Sequence, residues 1–196
     1  MKKGENYNHP VKGSQIKVDP ITDIKDIQTI KKLLKDRPRD LALFTLGINT
    51  NLRASDLLGI TAGMVRNTNE IEIKEKKTGK YRRITLNQTC QDAIKNLLAS
   101  NTYFDFTPLI RGKYKGAALT VPAVNLLVKK WCKMINLKGN YGSHTLRKTW
   151  GYHQRVTFGV DLARLTYCFN HSSVRQTLDY LCLQPDEIRD VYEHEL

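Results

Sequence analysis

The stretch NEIEIKEKKTGKYRRITLN, residues 69–87, carries the clearest strand pattern in the chain. Apolar Ile71 and Ile73 alternate with charged residues, which is the period of a strand with one buried face. Thr78-Gly79 supplies a turn, and Tyr81 to Leu86 returns as a second strand. The stretch therefore predicts one antiparallel hairpin.

On both sides of the hairpin, apolar residues recur with helical spacing. Before it we expect a helix from about Thr22 to Leu34, a second that begins at Pro38 and contains the apolar run Leu41–Ile48, and a short one from about Ala54. After it we expect helices over residues 88–99 (capped by Asn87), 121–135 (capped by Thr120), 144–156, 162–167, 174–181 and about 185–193. The fold class is mainly α (α+β), a helical domain with a small antiparallel hairpin at one edge.

The length of 196 residues suits one domain, with residues 1–18 as a flexible basic arm. No run is apolar enough for a membrane helix or a secretory signal, so we expect a cytoplasmic protein with no membrane partner. The cysteines at 90, 132, 168 and 182 stand singly. Their spacing indicates a reducing compartment and no metal site.

Charge is the first sign of a partner. Lys and Arg number 32 against 19 Asp and Glu, a formal surplus of +13. Between Phe106 and Val160 there are ten basic residues and no acidic ones, whereas residues 179–196 hold six acidic residues and only Arg189 as a cation. This distribution favours a nucleic acid as the partner of the basic stretch.

Two candidate functional residues lie before the hairpin and at its tip. Arg53 follows the sharp turn Thr50-Asn51-Leu52, and Asn51 favours a positive-φ backbone there. Lys77 lies at the hairpin tip. Taken singly, Arg53 is as well explained by a surface ion pair with Asp56, and Lys77 by a solvated turn.

The remaining candidates lie near the end of the chain. His144 and Arg147, three residues apart, share one helix face, and Ser143 as N-cap would place them where a helix favours an anion. His171 follows a tight turn and precedes the helix that bears Tyr180. Taken singly, each of these residues also fits an ordinary amphipathic or packing role.

Together, six residues follow the order Arg53, Lys77, His144, Arg147, His171, Tyr180. This order resembles the tyrosine recombinase (phage integrase) family, catalytic domain. The family's first arginine motif is similar to residues 50–57, its lysine hairpin to residues 77–86, and its His-Ser-Ser and Thr-x-x-Tyr segments to residues 169–180. The resemblance covers residues 20 to about 185.

The chain departs from the family pattern at four positions. Asn51 and Asn170 stand where glycine is usual, and both can serve a positive-φ turn. Asp56 replaces a glutamate, and Lys148 stands where histidine is common.

The resemblance also implies a domain organisation. Residues 19–196 would form the catalytic domain, with the acidic segment 182–196 docking on a neighbouring protomer. Most members carry a helical core-binding domain before the catalytic one, and here we expect none, as in a shortened chain or in the short DNA invertases of the family.

The resemblance implies a function, that of a site-specific DNA recombinase, integrase- or invertase-like. Tyr180 would be the nucleophile that forms a 3′-phosphotyrosyl link, without metal or other cofactor. Arg53 and Arg147 would clamp the phosphate, Lys77 would be the general acid, and His144 would take the tyrosine proton. His171 would donate a hydrogen bond to the phosphate, and Asp56 would orient Arg53 without contacting the phosphate itself.

The partners implied are double-stranded DNA and other protomers, which would assemble as a tetramer on paired sites in the nucleoid. We expect DNA contacts from Lys76, Lys80, Arg82, Lys113, Lys115 and Lys148. Three alternatives stay open at this point: a non-catalytic DNA-binding protein on a decayed integrase fold, an enzyme that relaxes DNA as a topoisomerase does, and a basic RNA-binding protein.

Overall fold

The computed structural model describes residues 17–114 and 116–181. In chain order its elements are α1 (Ile24–Leu33), α2 (Pro38–Asn49), α3 (Ala54–Leu57), α4 (Ala62–Val65), β1 (Glu70–Lys74), β2 (Tyr81–Thr85), α5 (Gln88–Ala99), α6 (Val121–Met134), α7 (Ser143–Val156), α8 (Leu162–Phe169) and α9 (Val174–Leu181). The mainly helical prediction is confirmed. Most of the expected arm, Lys115, the helix expected near 185–193 and the acidic segment 182–196 lie outside the described residues.

The hairpin forms as predicted. Strands β1 and β2 pair antiparallel in a two-stranded sheet, with Glu70 opposite Thr85 and Lys74 opposite Tyr81. Ile71 and Ile73 are buried on the inner face, as the alternation requires. The expected hairpin therefore has its predicted inner face.

Helix α2 lies in the main core. Ala42, Leu43, Phe44 and Leu46 are fully buried, because α2 is apolar on nearly every side. Helices α5 and α7 pack against it, and the Phe44 ring meets Trp131 of α6 edge to face with 5.8 Å between ring centroids. This core holds the helices that carry the candidate site.

Two predicted caps are confirmed and one is wrong. Asn87 caps α5 and Thr120 caps α6 through their side-chain oxygens. Ser143 is instead the first residue of α7, and Gly142 is its N-cap. The Ser143 N–H donates to Asn125 Oδ1 of α6 at 3.1 Å, so a side chain from a neighbouring helix caps this end of α7.

Helix α4 was not expected from the sequence. Its first amide donates to Thr107 O at 2.9 Å, and the Gly63 N–H donates to Asp105 O at 2.9 Å. Contacts with a distant loop hold this single turn, so no local periodicity marks it. None of the helices in the described part of the chain is long and apolar enough to cross a membrane.

Lys17 and Asp19 are hydrogen-bonded to the loop that precedes α7. The Asn140 side chain donates to Lys17 O at 2.8 Å, and the Asp19 N–H donates to Asn140 O at 2.7 Å. The last two residues of the expected arm therefore pack against the loop that precedes α7.

A second, smaller apolar cluster joins α8 and α9 to α7. Leu165, Phe169 and Leu181 are buried in it, with Trp150 and Tyr180 packed against them. The small cluster, defined by these five residues, positions the C-terminal part of the candidate site.

We expect Gly151→Ala to lower the free energy of unfolding by about 1–3 kcal/mol, because a methyl group at this position overpacks the small cluster. A Cβ on Gly151 would overlap the Phe169 ring and lie 2.6 Å from Leu181 Cδ2. Urea unfolding measures the change, with Gln154→Ala on the same helix as a near-neutral control. An unchanged or higher stability of the Gly151→Ala protein would mean that the gain in helix propensity dominates.

Candidate active site

Arg53 is placed by an asparagine turn. Asn51 has φ 54°, the positive value expected from its sequence context, and is buried. Its side chain donates to Cys168 O at 2.8 Å, which ties the turn to the end of α8. Arg53 follows as the N-cap of α3, with its side chain mostly buried. The turn thus fixes the backbone from which the Arg53 side chain reaches Glu75.

Glu75 is a central site residue that the sequence reasoning missed. Its carboxylate lies 3.0 Å from Arg53 Nη1 and 3.2 Å from Arg82 Nη1, and it accepts a 2.8 Å hydrogen bond from Thr78 Oγ1. Burial alone would raise the pKa of this carboxyl, but the bonds from Thr78, Arg53 and Arg82 outweigh it and lower the pKa to about 2. The signal was present, because position 75 continues the inward-facing register of Ile71 and Ile73.

Asp56 has two partners, the expected Arg53 and the hairpin backbone. Its Oδ2 is 3.8 Å from Arg53 Nη1, a longer contact than that of Glu75. Its Oδ1 accepts the Lys76 N–H at 3.0 Å. Asp56 therefore holds the hairpin loop to α3 and also forms a longer ion pair with Arg53.

Arg147 reaches the site from the first turns of α7 and is only 3% exposed. Its Nη2 donates to Phe169 O at 3.0 Å, while no described residue accepts a hydrogen bond from its buried Nη1. Burial is the main reason that the pKa of Arg147 falls to about 10, and the charges of Arg53 and Arg82 lower it further. Arg147 is thus held beside other cations in a partly dehydrated position.

His171 is oriented by the turn that ends α8. Asn170 there has φ 54°, again the positive value expected. The imidazole stacks on Phe169 with 5.1 Å between centroids, and its Nδ1 lies 3.0 Å from Thr177 Oγ1. Burial, followed by the nearby cations, lowers the pKa of His171 to about 4, so the ring is neutral at pH 7.

Tyr180 lies on α9 within the small cluster. Its ring is 5.1 Å from the Phe169 ring and 5.2 Å from the His171 ring. The Nζ of Lys148 lies 5.1 Å from the centre of the same ring. Lys148, which was expected to contact DNA, is only 4% exposed and lies in the interior of the site.

Lys77 and His144 are both exposed. Burial of part of the ring is the main reason that the pKa of His144 is lowered, and four cations lower it further. These cations are Arg147, Lys148, Arg53 and Lys77. The hairpin lysine therefore contributes to the positive field around the α7 histidine.

The remaining residues expected to contact DNA divide into two groups. Lys76, Lys80 and Lys113 are exposed, and Lys80 Nζ donates to Asn170 Oδ1 at 3.3 Å. Arg82 is instead drawn inward by Glu75. Lys115 lies outside the described residues.

The site as a whole carries a surplus of positive charge. Among the described residues its cations are Arg53, Lys77, Arg82, Arg147 and Lys148. Its carboxylates are Asp56 and Glu75. The surplus of positive charge in a partly dry position suits an anion with several oxygen acceptors.

The fold places the chain in a known class of protein. Solved structures of tyrosine recombinases match it over 92% of its length, with TM-scores of 0.72 to XerA recombinase (16% identity) and 0.72 to XerH recombinase bound to a palindromic difH substrate (20% identity). The chain covers 66% and 55% of those two proteins. The fold is that of a tyrosine recombinase catalytic domain.

The chain belongs to the phage integrase family, whose model matches residues 21–187. It is 31% identical to the probable integrase/recombinase YoeC of Bacillus subtilis, over 90% of this chain and 96% of that protein. It is also 31% identical to tyrosine recombinase XerC of Caldanaerobacter subterraneus, over 84% of this chain but 48% of the relative. Family and fold both match the function of a site-specific recombinase.

Proposed function

We propose that this chain cuts and rejoins double-stranded DNA, with Tyr180 as the nucleophile. The observation that carries the proposal is the convergence of a tyrosine ring, the buried Arg147 and the neutral His171 around Phe169. Attack by the Tyr180 oxygen on a phosphodiester would form a phosphorus–oxygen bond and break the bond to the 5′ oxygen. The result is a 3′-phosphotyrosyl link and a free 5′-hydroxyl.

Arg53 and Arg147 would stabilise the charge that gathers on the non-bridging phosphate oxygens. A guanidinium presents two parallel donors to two oxygens, which a lysine cannot do. Both arginines are already fixed, one by Glu75 and the other by Phe169 O. The transition state would therefore meet donors that need no rearrangement.

Proton transfer would be carried out by the two exposed residues His144 and Lys77. His144 is neutral at pH 7 because its pKa is lowered, so it can accept the proton of the tyrosine. The exposed Lys77 can give a proton to the departing 5′ oxygen. His171, held through Nδ1 by Thr177, would hydrogen-bond the phosphate through its other nitrogen.

A nicked suicide substrate tests the proposal. Duplexes that the protein selects from a random pool are nicked beside each candidate position, so that a short fragment is lost after cleavage and rejoining is blocked. We expect a covalent protein–DNA adduct whose labelled peptide contains Tyr180. Tight binding without any adduct would support the decayed, non-catalytic alternative, and relaxation of plasmids without sequence preference would support the topoisomerase-like one.

Binding to DNA should depend steeply on salt. If six phosphates are contacted, the slope of log K against log salt is about −5, so affinity falls about 10,000-fold between roughly 50 and 300 mM salt. Lys113→Ala, at an exposed basic position, should reduce the slope by about 1. Fluorescence anisotropy with a labelled duplex measures both, and a nearly flat dependence would contradict phosphate-led binding.

We also propose that protomers assemble on paired DNA sites. The acidic composition of residues 182–196 and the basic composition of residues 107–159 support a contact between neighbouring copies. Such an assembly would act on nucleoid DNA.

A further inference from the structure

We propose that Glu75 is a positioning residue that fixes Arg53 and the Lys77 loop to each other, so that the phosphate clamp and the general acid address the same phosphate. This inference rests on the proposed function and deepens it. It starts from one carboxylate that touches both parts: Arg53 Nη1 at 3.0 Å and the hairpin's own Thr78 Oγ1 at 2.8 Å.

Burying the Glu75 carboxylate costs free energy of folding unless strong partners compensate for the lost hydration. A carboxylate that is 2% exposed has lost its hydration, and such a group is tolerated only with strong partners. Glu75 has three of them, in Arg53, Arg82 and Thr78. An apolar residue would continue the inner face of β1 without any of these requirements.

The loop that carries Lys77 is built around Glu75. The Glu75 N–H donates to Lys80 O at 2.9 Å, and its carbonyl accepts the Gly79 N–H at 2.8 Å. Gly79 has φ 69°, so the loop closes through a residue that tolerates this conformation. Backbone and side chain of Glu75 together define residues 75–80, and Asp56 holds the Lys76 N–H from the other side.

A second interpretation of the same contact makes an opposite prediction. If Glu75 were a substitute for the phosphate, its removal would free Arg53 and speed cleavage. If Glu75 positions Arg53 and Lys77, its removal slows cleavage. DNA affinity should stay equal or rise in either case, because a negative charge near the phosphate is lost.

The experiment compares Glu75→Gln with Glu72→Gln. Both remove one charge from the same hairpin, but Glu72 is exposed on the outer face of β1. On the nicked substrate at saturating DNA, we expect Glu75→Gln to slow single-turnover cleavage about 10- to 100-fold with no loss of affinity, while Glu72→Gln stays near the unmodified protein. An unchanged or faster rate for Glu75→Gln overturns the proposal.

A sulfur-substituted substrate tests the link to Lys77. When sulfur replaces the departing 5′ oxygen, the leaving group no longer needs a proton. We expect this substrate to recover part of the rate lost in Glu75→Gln, as it should in Lys77→Ala. An identical deficit on both substrates contradicts the proposal, because a merely structural defect would not depend on the leaving atom.

Limited trypsin digestion tests the same idea without DNA or catalysis. Trypsin cuts after lysine, and Lys76, Lys77 and Lys80 lie in the loop. We expect faster cutting there in Glu75→Gln than in Glu72→Gln, and equal cutting would overturn the proposal. If Glu75→Gln does not fold, Thr78→Val removes one of the bonds to the carboxylate while keeping the charge, and it should loosen the loop and slow cleavage in the same direction.

The cleavage and digestion experiments together distinguish a failure of the role of Glu75 from a failure of the proposed function. If the unmodified protein forms adducts and Glu75→Gln cleaves at the normal rate, only the role of Glu75 is rejected. No adduct from the unmodified protein rejects the proposed function, while the digestion still measures the hold of Glu75 on the loop.

Discussion

We expect Tyr180→Phe to form no covalent adduct with nicked DNA, a loss of about 10,000-fold or more, because the change removes the oxygen that is proposed to bond to phosphorus. The phenyl ring keeps the contacts of Tyr180 with Phe169 and His171, so folding and DNA affinity should be retained. The measurement is the fraction of labelled DNA that stays with the protein in denaturing gels, together with the dissociation constant for the same duplex.

The matched control is Tyr167→Phe. Tyr167 is 88% exposed on α8, and the control makes the same chemical change a short distance away. It should form adducts at the rate of the unmodified protein. An adduct in Tyr180→Phe would mean that another group attacks the phosphate, and the catalytic proposal would then fail.

Arg147→Met yields a protein that is more stable and nearly inactive. The guanidinium is dehydrated, and no described residue pairs with its Nη1. Its charge is further opposed by Arg53 and Arg82. Methionine fills a similar volume without these costs, but the bond to Phe169 O is lost, so we expect a net gain of about 1 kcal/mol. Cleavage should fall about 100- to 1,000-fold, since a preorganised donor to the phosphate is gone.

Arg147→Lys separates charge from geometry. It keeps a buried cation and therefore should bring no gain in stability, yet it loses the paired donors and should remain slow. Urea unfolding and single-turnover cleavage measure the two properties. A less stable Arg147→Met protein would show that Arg147 stabilises the fold. That result would contradict the idea that Arg147 lowers stability and is retained for cleavage.

Local features of the sequence were sufficient to predict much of this fold. The alternation around Ile71 predicted the hairpin, and Asn87 and Thr120 predicted two helix starts, because these signals act over a few residues. Asn51 and Asn170 have the positive φ expected of asparagine in place of glycine. The roles proposed for the six candidate residues stay predictions until the cleavage experiments are done.

The remaining features depend on contacts between distant parts of the chain. Helix α4 is held by a loop some forty residues later, and α7 is capped by Asn125 of another helix. Lys148 is next to an arginine in sequence but beneath the Tyr180 ring in space. Glu75 was hidden for a different reason, since a charged residue in a charged loop is normally solvated, and only the strand register indicates that it faces inward.

The small cluster that joins α8 and α9 to α7 has an energetic consequence. Among the described residues its buried apolar side chains are few compared with those around α2, so releasing α9 would expose little of that apolar area and would leave the main core assembled. We therefore expect the segment that bears the phenol to detach in a sub-global opening at a free energy well below that of complete unfolding. The amides of α9 would then exchange with deuterium long before those of α2. In an enzyme whose nucleophile must approach a DNA strand and later withdraw from it, such an opening would let the nucleophile move without unfolding the main core.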